Sequence, residues 1–405
     1  MSKRPYPSPK VDGRAAVLIE QRRLKMARSA HAYVRGNTQR FYQWLEDGAG
    51  RALPEGPAIW ICGDCHLGNL GPLASADGDI DVQIRDLDQT VIGNPAHDLV
   101  RLGLSLATAA RGADLPGVTT AKMLEEMVAG YRDALLGADS GSKSDRPRSI
   151  KKVLRQANRR KWRHLARERI EDVKPNIPLG ERFWALSSRE RSEIGKLFET
   201  EAVRTMVTAL RGRDSASDIE VLDAAYWMKG CSSLGRLRYA VLVQVGKTGD
   251  ADNGGLCLVD IKEATHPAAP RSPSGSMPRD DAERVVAGAR ALSPFLGGRM
   301  LAATFMDKSV VLRELMPQDL KLEIDKLTQQ EAVRAAHYLA SVVGKAHARQ
   351  LDETARHAWS EEMNKRSSGD LDAPHWLWSS VVDLVSVHEV AYLEHCRRYA
   401  LGVAA

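Results

Sequence analysis

The chain has 405 residues, 43% of them hydrophobic and 27% charged, a composition that excludes fibrous, disordered and small disulfide-built classes. Five scattered cysteines (Cys62, Cys65, Cys231, Cys257 and Cys396) make no disulfide framework, and no run approaches the roughly 18 to 20 apolar residues of a membrane span. The opening MSKRPYPSPK lacks the apolar segment of a secretory signal, so a cytoplasmic protein without membrane contact is expected, and the mild net charge of +6 favours anionic ligands.

Apolar positions at helical spacing over 14–46 predict two helices with a break near Arg35 and Gly36. The run 57–62 stops at Gly63, and 80–84 alternates strictly before Arg85, so both read as strands feeding polar loops. Helical periodicity returns over 95–136, with a turn at Pro116 and Gly117. A polar linker over 141–147 leads into a segment, 143–170, that holds twelve Lys or Arg with Trp162 among them. From about 221 to 264 the texture is β, with a hairpin of 238–245 and 256–262 around a Gly/Asp turn. A loop over 265–281, a short helix over 283–292, a strand over 310–315 and helices over 328–350 and about 374–400 complete the pattern.

Two features carry chemistry. Gly63-Asp64-Cys65-His66-Leu67-Gly68-Asn69 follows one predicted strand, and Asp86-Leu87-Asp88 follows another. Phosphoryl transfer needs a carboxylate to orient and deprotonate the attacking hydroxyl, and oxygen ligands to hold Mg²⁺ on the nucleotide phosphates. Asp64 suits the first task; Asn69 and Asp86, with Asp88, suit the second, in the spacing of a kinase catalytic loop. In the β-rich segment, Gly230-Cys231-Ser232-Ser233-Leu234-Gly235 precedes a strand and Lys262 ends the next. A Gly/Ser turn exposes backbone N–H groups to phosphates, a lysine one strand on can pair with them, and Glu283 at the start of the following helix is the carboxylate expected to hold Lys262.

The strings GDCHLGNLG, DLDQTVIGNPAHDLVRL, KMARSAHAYVRGNT, GCSSLGRLRYAVL and DIKEA resemble the bacterial domain of unknown function 2252 family over roughly residues 24 to 351. That family looks like a distant branch of the protein-kinase-like superfamily, nearest in its active-site strings to aminoglycoside and choline kinases. The resemblance implies Asp64 as catalytic base, Asn69 and Asp86 as metal ligands, Lys262 as the phosphate lysine and Asp98 as a buried acid positioning the loop. It implies a chemistry without a named substrate. The chain departs from the family in reading Arg85 and Gln89 around the acidic pair, where an Asn and a Glu are common, and Cys231-Ser232 in the glycine turn. The order of parts is also reversed, with the catalytic loop ahead of the glycine turn and lysine. The helix over 331–349 resembles the one that leads into a kinase catalytic loop, and its expected continuation stands at Ile59, so the sequence reads as a circular permutation.

The expectation is an α+β, two-lobed, protein-kinase-like fold in permuted order. A small β-rich lobe spans 215–312, and a helical lobe is assembled from 1–214 and 313–405. The segment 311–317 forms the hinge, with Arg313 and Glu314 facing the nucleotide. ATP and Mg²⁺ are the expected cofactors, and the acceptor is an unidentified small molecule. Alternatives stay open. Asp64, His66, Asp86 and Asp88 also suit a metal-dependent phosphoesterase, although that class calls for further histidines on loops after strands. Cys62 and Cys65 could form a redox pair or half a zinc site. The site could bind nucleotide without transferring phosphate, as a pseudokinase does. The basic segment 143–170 reads first as a solvated helix, with contact to nucleic acid or another acidic partner as the alternative.

Overall fold

The structure, a computed structural model, describes residues 9–48, 52–137, 146–160, 176–210, 213, 217–230, 234–246, 255–320, 328–364 and 372–400. It is a mixed α+β chain with several antiparallel sheets. Where two helices are expected at the N-terminus there are three: α1 (Arg14–Met26), α2 (Ala30–Gly36) and α3 (Thr38–Glu46). The additional break falls where the Ser29 side chain accepts from the Ala32 N–H, and Asn37 does the same for Arg40, so each short polar residue starts a new helix. Strands β1 (Ile59–Ile61), β2 (Leu70–Ala74), β3 (Ile80–Ile84) and β4 (Val91–Gly93) follow, paired β1 with β4 and β2 with β3. Then come α4 (Pro95–Gly112), capped by Asn94 with Pro95 in its first turn, α5 (Gly117–Leu135) and α6 (Arg148–Arg159).

The main sheet has six antiparallel strands: β5 (Phe183–Trp184), β6 (Ile219–Trp227), β7 (Arg238–Val245), β8 (Leu256–Glu263), β9 (Met300–Phe305) and β10 (Lys308–Glu314), in the order β5-β6-β7-β8-β10-β9. Helices α7 (Ser188–Phe198) and α8 (Glu201–Thr208) precede β6, while α9 (Asp281–Leu292) and α10 (Pro294–Gly297) lie between β8 and β9. Every residue of β7 is buried. Tyr239, Val241 and Val243 join a layer with Leu18 of α1, Ile194 of α7 and Val203 of α8, whereas Ala240 and Leu242 join the opposite layer with Phe183 and Trp227. Successive side chains point to opposite faces, so this strand is sandwiched between two apolar layers. The packed unit around the sheet therefore draws on residues well before 215.

The helical part is one cluster in which α4, α5, α11 (Gln329–Ala348), α12 (Glu353–Asn364) and α13 (His375–Tyr399) close around β1 to β4. Helix α6 buries Ile150, Leu154 and Ala157; ahead of it Arg146 pairs with Asp81 at 3.1 Å, while 143–145 and 161–170 of the basic segment, Trp162 included, lie outside the described residues. Among the described residues no helix is long and apolar enough to cross a membrane.

Candidate active site

The loop after β1 is held from below by a closed polar cluster. Asp98, fully buried in the first turn of α4, accepts the N–H groups of Cys62 and Gly63 at 2.7 and 2.9 Å. Gly63 has φ +73°, and a Cβ there would stand 2.2 Å from the Gln89 carbonyl oxygen, so the turn needs glycine. His347 Nε2 of α11 lies 3.2 Å from Asp98 Oδ2, the oxygen that also accepts from Cys62, its Nδ1 meets the Tyr131 hydroxyl at 2.9 Å, and that oxygen accepts from Trp359 Nε1 at 3.0 Å. An Nε2–H imidazole satisfies all of these groups at once.

Above this base the loop presents its side chains. Leu67–Asn69 form a 3₁₀ turn capped by His66, whose Nδ1 accepts the Gly68 N–H at 3.0 Å. Burial, together with Arg35, Arg101 and His31, pushes the His66 pKa well below its ordinary 6.5, so the ring is neutral at pH 7. Asp64 Oδ1 accepts from Arg101 Nε at 2.8 Å, while Oδ2 lies 3.8 Å from His66 Nε2. Arg101 is fully buried and also donates to the Val34 carbonyl. Asn69 donates its Nδ2 to the Asp64 carbonyl at 2.9 Å, which leaves Oδ1 as the amide's acceptor toward solvent.

Opposite this loop, Lys262 at the end of β8 places its Nζ 3.2 Å from Asp86 Oδ1 and also against Asp88 Oδ2, joining residues 176 positions apart. One ammonium thus serves two carboxylates that remain 44% and 22% exposed. Burial works to raise Asp86, yet Lys262, a hydrogen bond with Asp88, Arg238 and Arg313 hold it well below the usual carboxylate range; burial and the Asp86 charge push Asp88 up. Asp64, Asn69, Asp86, Asp88 and Lys262 all line one cleft of about 630 Å³. A second cavity, about 400 Å³ between β3 and α11, contains none of them.

The other expected residues divide. Gly230 (φ +90°) and Arg313 line the cleft; Arg313 donates to the Arg85 carbonyl and lies 3.7 Å from Asp260. Ser232 and Ser233 lie outside the described residues. Gly235 (φ +101°) is a turn glycine away from the cleft wall, with only Ile19 near the place of a Cβ. Glu314 is corrected: it is buried, its carboxylate is bound by Arg213 at 2.8 Å on both oxygens, and its carbonyl accepts from Arg299, so neither group is offered to a nucleotide. Glu283 is corrected as well. It is exposed on α9, and the Lys262 ammonium is taken by Asp86 and Asp88 instead.

The neighbouring Arg284 does what sequence reasoning did not foresee. Fully buried, it donates to the carbonyls of Asp88, Thr90 and Thr265 and so ties α9 to the acidic loop. Arg101 on Asp64 and Arg238 on Asp260 (2.9 Å from Nε) were likewise unforeseen. Their only sequence signal is a charged residue inside an otherwise apolar stretch.

Cys62 and Cys65 are buried thiols. Their mutual hydrogen bond and burial push Cys62 well up, the reverse of a reactive pair. Among the described residues no three His, Cys, Asp or Glu side chains converge as a metal cage. Mg²⁺ on a nucleotide takes one or two carboxylates and completes its shell from phosphate and water. The Asp86–Asp88 pair, already gathering a cation in Lys262, fits that demand.

The C-terminal end of α11 meets the strand that leads into the loop. Gln350 accepts the Trp60 N–H at 2.8 Å and donates to the Trp60 carbonyl at 3.0 Å. Comparison with known proteins gave no match among curated proteins and none among solved structures. A family model described as an uncharacterized protein conserved in bacteria matches residues 14–398, wider at both ends than the resemblance read from the motifs. The chain belongs to the DUF2252 family.

Proposed function

We propose that this protein is an ATP-dependent phosphotransferase with a kinase-like site in permuted order, moving the γ-phosphoryl group to a hydroxyl of a small acceptor. The observation that carries the reading is the Lys262 bridge: a strand lysine and an Asp-x-Asp loop far apart in sequence meet across a cleft whose other wall holds Asp64 and Asn69. The lysine sits on the third of three successive antiparallel strands, β6 to β8, and is followed by a helix, the placement of the phosphate lysine in protein kinases. The Gln350–Trp60 contact supports the permutation, since it joins α11 to the strand that would follow it in the ordinary order.

In this reading Lys262 neutralises phosphate oxygens, and Asp86, Asp88 and Asn69 are the residues that would hold Mg²⁺, which supplies further charge neutralisation when bound. Asp64 accepts a hydrogen bond from the acceptor hydroxyl and takes its proton as the oxygen bonds to the γ-phosphorus and the bond to the β-phosphate oxygen breaks. Arg101 fixes one oxygen of Asp64, so the other is the one turned to the acceptor. Calorimetric titration of ATP with and without Mg²⁺ tests the site. Metal-dependent binding is expected in the wild type and is expected to be lost in Asp86→Ala and Lys262→Ala; no binding in the wild type would remove the proposal.

A further inference from the structure

The cleft is lined by ten Lys or Arg and four Asp, a surplus of six positive charges. The whole chain carries the same surplus, +6, so the rest of the sequence is formally neutral and the excess is concentrated where the ligand binds. Part of it is already matched. Lys262 is shared by Asp86 and Asp88, Arg238 and Arg313 face Asp260, Lys25 donates to the Gly230 carbonyl, and Lys229 lies 4.0 Å over the Trp227 ring. The side chains of Arg28, Arg35, Arg182 and Arg236 make no hydrogen bond or ion pair among the described residues.

Two of these four belong to the N-terminal region: Arg28 lies in the turn between α1 and α2, and Arg35, in the last turn of α2, is placed against the Asp64 loop. Its guanidinium lies flat on the backbone of Gly68, where a Cβ would come within 2.7 Å of Cζ. Beyond the break at Asn37, Thr38 at the start of α3 lines the same wall; it is 7% exposed, and its buried hydroxyl has no hydrogen-bond partner among the described residues. A forked cation and an unmatched hydroxyl in the cleft that holds Asp64 are complementary to a phosphate group, which presents several acceptor oxygens and close to two negative charges.

Resting on the phosphotransferase reading, we propose that the acceptor is itself phosphorylated, and that Arg28, Arg35 and Thr38 bind its phosphate while its hydroxyl meets Asp64. The test titrates inorganic phosphate into the full chain saturated with Mg-ADP, with acetate as the carboxylate control. Wild type is expected to bind phosphate and to bind acetate at least about tenfold more weakly. Arg35→Met is expected to weaken phosphate by about tenfold or more, and Arg35→Lys and Thr38→Val by less, all three keeping the wild-type affinity for Mg-ADP and so showing a folded cleft. Phosphate affinity unchanged in Arg35→Met, acetate as tight as phosphate, or no phosphate binding beside Mg-ADP would overturn the proposal. Failure of Mg-ADP to bind wild type would instead overturn the phosphotransferase reading. Phosphate titrated into the nucleotide-free protein then judges the subsite alone, by whether Arg35→Met loses it.

Discussion

Two polar clusters flank the loop of Gly63 to Asn69, and they are built on opposite rules. Below it, Asp98, His347, Tyr131 and Trp359 form a sealed chain in which Asp98 and His347 are fully buried and each donor has one acceptor. Above it, Asp86 and Asp88 outnumber the ammonium they share and keep part of their surface open to the cleft. A sealed network fixes a shape, because each buried group already has its partner. An open one has binding capacity to spare, and that difference separates scaffold from site within a few residues of sequence.

The sharpest way to break the comparison is to cut each cluster once. Asp98→Ala leaves two loop N–H groups and His347 without their acceptor, and should cost about 3–5 kcal/mol in chemical denaturation. Lys262→Ala, which should abolish nucleotide binding, is expected to change stability by no more than about 1 kcal/mol, because water already reaches its partners. Equal losses in the two variants would erase the distinction. Tyr131→Phe probes the same sealed chain more gently. It strands His347 Nδ1 and Trp359 Nε1 and should cost about 1–3 kcal/mol, with the loop and nucleotide affinity retained.

Acid offers a smaller lever. His66 has its folded pKa pushed below the 6.5 of the unfolded chain, so the unfolded state takes up the proton first. Its contribution is therefore complete above pH 6.5 and is lost as the pH falls below that value. Unfolding free energies measured by chemical denaturation between pH 7 and 5 should drop less in His66→Gln than in wild type, by up to about 1.4 kcal/mol per pH unit. The remaining drop belongs in part to His97 and His388, lowered to about 4 and about 3 chiefly by burial. Smallest of all, Glu283→Gln should alter neither stability nor Mg-ATP affinity, since its carboxylate is exposed away from Lys262. A clear loss of nucleotide affinity in that variant would mean that Glu283 reaches Lys262 once the cleft is filled.

Much of the architecture is legible in the sequence. The strands β3 and β7, the helices α4 and α5 with their turn at Pro116, and the tail helices α11 and α13 follow from apolar periods of two and of three to four residues. Strands β2, β4 and β9 escaped because they are short or carry glycine and alanine where a strand pattern wants branched residues, and α7 and α8 because their charged faces dilute the period. At the site, Asp64, Asn69, Asp86, Asp88 and Lys262 declared themselves through loop position after strands. Arg101 and Arg284 did not, because an arginine's partner is set by the tertiary fold rather than by its neighbours in sequence. The exchange of Glu283 for Arg284 shows the scale of that limit. One step along a helix turns a side chain by about 100°, enough to move it from solvent to the interior.

The distance along the chain between Asp86 and Lys262 also has a meaning in time. At about 5–20 residues per second, a ribosome takes roughly 9 to 35 s to make the 176 residues that separate them. Through that interval the nascent loop has its acidic pair and lacks the ammonium that later sits between them. His347, which closes the cluster beneath the loop, is made later still. The cleft is therefore completed only after Lys262 has been made, and its closure joins segments synthesised far apart in time.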